Sequence, residues 1–526
     1  MAAAPRAGRP FGRRRRILSR GVKRAMDGPP QVPAIRVKTL VDRPLRPDGE
    51  FVVYWMTAAR RLGWNYALDH AVAIAEELAR PLVVLEALRS NYPWASDRLH
   101  RFAIEGMAEN ARRAAGRPVF YYPYLEPAAG AGRGLVAELS RRAVAIVPDD
   151  APFFFLPRML ALAASRSACR LEAVDSNGLL PVAAGAHQTF ATAFAFRRFL
   201  HGNLKRHLLR PPSPDPLAGA RLPRLERLPE AVEATWPPAG ETELAAEPEL
   251  LARLPIDHSV APVAGIAGGS AAAEAALARF LEHRLARYAE ERNHPDADAA
   301  SGLSPWLHYG HLSAHQVLAE LAAHERWDPA LLPEKGNGGR EGWWGTSAAA
   351  ESFLDELVTW REIGLNFCAT RPEDHDRYES LPGWARATLE AHEADPRRHL
   401  YELPELERAA THDELWNAAQ RQLLAEGRIQ NYLRMLWGKK VLEWSSEPRR
   451  ALEILIELNN KYALDGRDPN SYSGIFWCLG RYDRPWAPER PIFGVVRYMS
   501  SENTARKLKL QAYLRQWSAP EAPTLF

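Results

Sequence analysis

FVVYWM at residues 51–56, a helical pattern from Tyr66 to about Arg80, and PLVVLEAL at 81–88 decide the fold class of the first part of this chain. Short unbroken runs of Val, Leu and aromatic residues suit strands buried on both faces. A helical stretch between two such runs suits the crossover that joins parallel neighbours. The unit recurs: a helical stretch from Asp97 to Ala115 precedes PVFYYPY (118–124), and AVAIVPDD (143–150) and CRLEAVD (169–175) follow. The pattern predicts an α/β domain with a Rossmann-like parallel sheet and helices on both faces. Ligands of such sheets bind beyond the carboxyl ends of the strands. Asp149 and Asp150 fall at one such end, where they read as solvated loop acids.

The texture changes downstream. From Arg210 to about Pro262 the chain is proline-rich (RPPSPDPL, LPRLERLPE, WPPAG), as in a linker or wrapping segment. Beyond Gly269 the periodicity is helical over 270–292, 313–326, 349–369, 383–393, 404–426, 429–444 and 448–461. The expected organisation is a basic tail (1–47), an α/β domain (48–200), a proline-rich linker (201–265) and an all-α domain (266–526).

Composition bounds the function classes. At 526 residues two or three domains are expected, and 46% hydrophobic with 25% charged residues is ordinary for a globular protein. No apolar run reaches transmembrane length. Three scattered cysteines argue against a disulfide framework and a zinc site, so a reducing, cytoplasmic-type compartment is expected. The net charge of +4 names no partner, but residues 6–24 carry Arg13, Arg14, Arg15, Arg16, Arg20, Lys23 and Arg24 without an acid. That stretch reads as a disordered tail ahead of a nucleic-acid arm or a transit peptide.

Two weak signals are set aside. GAGRG (130–134) looks like a nucleotide loop but does not read as a strand-to-helix junction. His308, His311 and His315 could share a helix face, yet no Cys or Asp completes a metal set. Stronger is SGLS (301–304), whose hydroxyls and backbone N–H groups precede Pro305 at a helix start, an arrangement suited to a pyrophosphate. In ESFLDELVTWREIGLNFC (351–368), Glu356 and Trp360 are four apart and share a face, a carboxyl beside an indole that can stack on a planar base. Between 412 and 499, Trp416, Trp437, Trp444 and Trp477 stand among Arg434, Asn459, Asp465 and Asp468. Polar groups so placed need partners, which favours a cofactor pocket over plain packing. Trp437 and Trp444, seven apart, lie on one face about 10 Å apart along a helix, a spacing that suits electron hopping.

The ordered set SGLSP (301–305), THDELWNAAQ (411–420), LRMLWGKKVLEW (433–444), LNNKYALDGRDPN (458–470), DRPW (483–486) and RPIFG with RYM (490–499) resembles the class II cyclobutane pyrimidine dimer photolyases of the photolyase/cryptochrome superfamily. The resemblance covers roughly residues 51–500. It implies reduced FAD in the helical domain, with Tyr288, Ser301, Gly302, Leu303 and Ser304 around its phosphates. Arg434 and Asp465 would pair near the isoalloxazine, with Asn459 facing its N5. Trp437, Trp416 and Trp444 would form an electron chain, from flavin-proximal to solvent-exposed. Trp360 and Trp477 would sandwich a flipped-out dimer, Glu356 would hydrogen-bond its carbonyl, and Met435 and Arg292 would line the same pocket. Arg484 and Arg497 would hold DNA at the gap left by the dimer. A deazaflavin antenna in the α/β domain is expected, with folate or none as alternatives, and a monomer.

The sequence also departs from that family. The usual His-Gly-aromatic triplet before LRM is Gln430, Asn431 and Tyr432, the basic pattern around 182–199 is diluted, and GNGGREGWWG (336–345) reads as a mobile insertion whose Trp343 and Trp344 would be free to meet a partner. Light-driven DNA repair is the leading function. A cryptochrome-like light sensor without repair is the alternative, and a flavin-independent DNA-binding role is a weaker third.

Overall fold

In the computed structural model, which describes residues 32–518, a six-stranded sheet has the order β1-β6-β5-β2-β3-β4. Its strands are β1 (Val37–Val41), β2 (Phe51–Met56), β3 (Leu82–Leu88), β4 (Phe120–Leu125), β5 (Ala143–Pro148) and β6 (Arg170–Val174). All neighbours are parallel except β1, which runs antiparallel to β6 and closes that edge. Every residue of β2 and of β5 is buried, as two-faced apolar runs require. The crossovers are α1 (Tyr66–Glu77), α2 (Asp97–Ala114), α3 (Leu135–Arg142) and α4 (Leu156–Arg166). Asn65 begins α1 by accepting the N–H groups of Ala67 and Leu68.

β1 corrects the expected tail of 1–47, since Val37–Val41 pairs with β6 as an edge strand of the sheet. The basic run 6–24 lies outside the described residues. The proline-rich stretch is not a free tether either. Leu217 and Leu222 join the core on one face of the sheet, and Leu228, Val232 and Trp236 join the core on the other.

Helical structure then dominates: α5 (Ala193–Leu208), α6 (Ser270–His283), α7 (Ala314–Glu325), α8 (Ala348–Leu354), α9 (Arg361–Thr370), α10 (Gly383–Ala391), α11 (Glu414–Glu426), α12 (Asn431–Trp444), α13 (Pro448–Tyr462) and α14 (Pro469–Cys478). The expected helix over 404–426 is broken. Ala409 has φ +55° and Asp413 caps α11 by accepting from the Trp416 N–H. The expected helix over 349–369 is interrupted by a π-helical turn, Asp355–Trp360, between α8 and α9.

Buried polar contacts lock the two halves together. Arg98 on α2 donates to the Leu423, Leu424 and Tyr462 carbonyls at the ends of α11 and α13. Glu362 on α9 accepts from the Leu179 and Leu180 N–H groups at 2.6 and 3.0 Å. Desolvation there pushes the Glu362 carboxyl up to about 7.

Asp149 is not a solvated acid. It is 2% exposed, and its carboxylate accepts the N–H groups of Thr57, Ala58 and Ala59 and the Tyr54 hydroxyl. It thus fills the anion-accepting turn after β2, at the switch point where a ligand would otherwise bind. The GAGRG loop does lie between β4 and α3, contrary to expectation, but the Glu126 carboxylate accepts from its Gly132 N–H. The histidine trio is also accounted for. His308 bonds Asp468, and His311 and His315 are buried with their pKa values pushed down by desolvation. No metal-binding cluster occurs among the described residues.

Candidate functional site

The helical domain encloses a cavity of about 530 Å³, within the size range of cofactor sites. The turn before Pro305 supplies Ser301, Gly302, Leu303 and Ser304 to its wall, beside Arg428, Gln430 and Arg434 from the α11–α12 corner. Gly302 has φ +69°, a conformation that favours glycine. Arg434 donates to both carboxylate oxygens of Asp465, at 2.9 and 3.4 Å. Burial opposes ionisation of Asp465, but the Arg434 guanidinium and the Ser304 hydroxyl hold its carboxyl below the ordinary range.

The opposite wall is the π turn. Its Glu356 is ion-paired to Arg292, whose guanidinium also lies 5.4 Å over the Tyr288 ring. Desolvation keeps the Glu356 carboxyl above its ordinary value, with Arg292 opposing and Asp355 reinforcing that shift. Gln430 braces this corner. Its Oε1 caps α12 at the Tyr432 and Leu433 N–H groups, and its Nε2 donates to the Arg292 carbonyl at 2.7 Å. Asn431 stands exposed at the cavity mouth.

Trp360 ends the π turn and meets Trp477 of α14, ring centroids 5.2 Å apart at 30°. Both are half-buried. Rings in contact leave no slot between them, so the expected sandwich is replaced by a single bent aromatic wall. Met435 is half-buried on α12, outside the cavity wall.

Three other indoles, on α11 and α12, form a contiguous series. Trp437 and Trp416 are parallel within 4° at 6.3 Å, and Trp416 meets Trp444 edge-on at 5.6 Å. The ring N–H groups are also placed: Trp437 donates to the Gln420 side chain and Trp416 to the Trp437 carbonyl. The arrangement joins a polar cavity, an aromatic wall and a redox-capable indole series in one domain.

Comparison with known proteins gives the family of the chain. Deoxyribodipyrimidine photo-lyase of Methanothermobacter thermautotrophicus is 33% identical over 466 residues, covering 89% of this chain and 94% of the relative. The enzyme of the same name from Oryza sativa subsp. japonica is 34% identical over 490 residues, covering 89% and 87%. The chain belongs to the photolyase family. No family model matches it. Two solved structures share the fold at low identity. A bacterial class III photolyase from Agrobacterium tumefaciens has a TM-score of 0.62 at 16% identity, covering 89% of this chain and 86% of its own. A Synechocystis cryptochrome has a TM-score of 0.63 at 17%, covering 89% and 88%.

In this photolyase other sequence expectations need correction beyond the sandwich. Trp444 is not solvent-exposed but 2% exposed, packed edge-on against Tyr401 and His412. Trp343 and Trp344 are also buried, Trp343 stacking on His201 at 3.9 Å and 1°, so they are core residues and not free for a partner. Asn459 is buried on α13 and donates to Asn460, outside the cavity wall. Gly466 packs against its carbonyl, where a Cβ would come within 2.7 Å. Arg484 and Arg497 flank the Trp486 ring, their guanidiniums 4.5 and 5.1 Å from its centre. Trp486 was visible in DRPW, but nothing in the sequence showed that both arginines converge on it.

Proposed function

We propose that this photolyase repairs cyclobutane pyrimidine dimers in DNA, with reduced FAD in the cavity of the helical domain. The observation that carries the reading is the π turn: Glu356 lines the cavity, and Trp360, which ends the same turn, packs on Trp477. The residues present fit FAD. Ser301, Ser304, Arg428 and Asn470 offer donors for its phosphates, and the Arg434–Asp465 pair offers a donor and an acceptor for the edge of its ring system. When bound and excited by light, FAD would supply the electron that splits the cyclobutane ring and take it back afterwards.

The chain's own groups do the rest. The Trp360–Trp477 wall stacks on a lesion swung out of the helix, and a dimer stacks and pairs poorly, so it leaves the duplex at lower cost than a normal base. Glu356 would hydrogen-bond a dimer carbonyl, where negative charge develops. Arg292 holds the Glu356 carboxyl in place. Trp437, Trp416 and Trp444 carry an electron inward to restore the reduced cofactor. Arg484 and Arg497, stiffened by stacking on Trp486, meet DNA phosphates or the gap left by the lesion. A protein of this kind would act where DNA is reached, and no described helix is long and apolar enough to span a membrane.

The competing reading is a light sensor of the cryptochrome kind. It requires neither the Trp360–Trp477 contact nor a carboxyl on the same π turn. Competition binding in the dark separates the two. Repair predicts that flavin-loaded protein prefers dimer-containing over undamaged oligonucleotide and that light abolishes the preference as dimers disappear. Equal affinity for both oligonucleotides would favour the sensor.

A further inference from the structure

The site as described leaves one buried ion pair without a role. On α5, Arg197 Nε donates to Asp355 Oδ1 at 2.7 Å and its NH2 group donates to Oδ2 at 3.0 Å. The two side chains are 5% and 11% exposed. A pair so deep is a poor way to gain stability, since desolving both ions offsets most of their attraction and an apolar pair of equal volume often does as well. Its position offers a better reason for its presence. Asp355 is the first residue of the π turn, and the next residue is Glu356. π turns are costly interruptions that recur where a side chain must be re-aimed.

The surroundings are built to hold Arg197. The glycine-rich loop 336–345 lies across α5, with the Gly338 carbonyl accepting from Arg197 and the Gly338 N–H donating to the His201 ring. A side chain at Gly336 would meet the His201 Cβ at 2.6 Å, so only glycine permits that approach. Trp343 stacks on the same His201, and the Glu351 carboxylate of α8 accepts from the Gly342 and Gly345 N–H groups. Helix α5, the loop and α8 therefore form one frame around the start of the π turn.

We propose that Arg197, acting through Asp355, is a positioning residue for Glu356: it pins the first residue of the π turn and offsets part of the negative charge next to the carboxyl that meets the lesion. The proposal rests on the role given to Glu356 above. Without Arg197, a second carboxylate would stand beside Glu356 and disfavour its ionisation. The other charged groups around this turn are already committed or fixed. Arg292 pairs with Glu356 beside Tyr288, Arg361 donates to the Asn177 carbonyl, Glu362 accepts from the 179–180 turn, and Glu351 is tied to the loop. Arg340, from the same loop, acts on Glu356 through space, reinforcing Arg292.

Two charge changes of opposite sign test this. In flavin-loaded protein, the carboxyl infrared band lost on Glu356→Gln is followed against pH, without DNA, alongside the pH profile of dimer splitting. Arg197→Met should move both midpoints up by about one pH unit and Asp355→Asn should move them down. The double variant should return them towards the parent value, and Arg197→Lys should leave them close to it. A merely structural pair would reduce stability in both single variants without opposite shifts. Midpoints that move the same way, or do not move, in flavin-loaded variants would overturn the proposal. If Arg197→Met fails to load flavin, Asp355→Asn against Arg197→Lys decides the matter by the same criterion. Absence of splitting in the parent protein would instead refute the role of the site, while the infrared series would still report on the pair.

Discussion

Replacing Trp416 by Phe separates the two jobs of the indoles most cleanly. Trp416 is 0% exposed and is the only ring of the relay in contact with both others. Phe leaves the ring site occupied but is far harder to oxidise, and it deletes the N–H that bonds the Trp437 carbonyl. The remaining partners are Trp437 and Trp444, about 10 Å apart along α12, so two short contacts become one long gap. The structural cost combines a partial cavity and one lost hydrogen bond, about 2 kcal/mol in total. That is a fraction of the stability of a chain this size, so the variant should fold and load flavin. Under illumination with an external reductant, oxidised flavin in Trp416→Phe should resist reduction. Chemically reduced Trp416→Phe should split dimers as fast as the parent. Photoreduction at the parent rate would refute the relay, and loss of splitting with reduced flavin in place would place Trp416 in the repair step itself.

Four further outcomes follow from the same geometry. Asp465→Asn should weaken flavin binding by about 3 kcal/mol, roughly a hundredfold, because it leaves Arg434 without its charged partner; since Asp465 is held below the ordinary range, the parent should keep flavin at neutral pH and lose it only as acid titrates that depressed value, a difference that flavin fluorescence in a pH titration reads. Arg484→Ala and Arg497→Ala should each weaken DNA binding and reduce the slope of log affinity against log salt by about 1, measured by fluorescence anisotropy. Trp343→Ala should destabilise the fold by about 3–5 kcal/mol in denaturant unfolding, since it empties a buried stacked site. Glu362, raised from 4.5 to about 7, contributes stability that is present below 4.5 and lost as pH rises to about 7, roughly 3 kcal/mol, and Glu362→Gln should flatten that part of the stability profile.

The legible parts of the chain were those where one physical rule spoke alone. β2 and β5 are unbroken apolar runs and β3 is one but for Glu86, and α1 and α12 carry side-chain caps, so their bounds fell close to the pattern. β1 was missed because VKTLV at a sheet edge is short and sets two exposed polar residues, Lys38 and Thr39, inside its apolar pattern. The π turn was invisible for a different reason: i to i+4 spacing reads the same in an α-helix, and only the backbone shows the extra residue. Asp149 was misjudged because acids after strands are normally solvated, and its three N–H donors come from a loop some ninety residues upstream. Trp343 and Trp344 looked mobile because glycines surround them. Those glycines instead allow the close approach to α5 that buries both indoles. In the site, the Arg434–Asp465 pair was expected and observed, whereas the Arg292–Glu356 pair, the Gln430 brace and the convergence of Arg484 and Arg497 on Trp486 depend on tertiary placement that spacing does not encode.

The central claim is light-driven splitting of one class of lesion, and single-turnover repair on defined oligonucleotides addresses it directly. Protein carrying reduced FAD, in excess over a duplex with one cyclobutane thymine dimer, is illuminated with near-UV or blue light, and the restored thymines are counted by chromatography. The account predicts one intact thymine pair per dimer lost, no conversion in the dark, and no action on a duplex carrying a (6-4) photoproduct. Bound reduced flavin with no light-dependent loss of the cyclobutane dimer would contradict it.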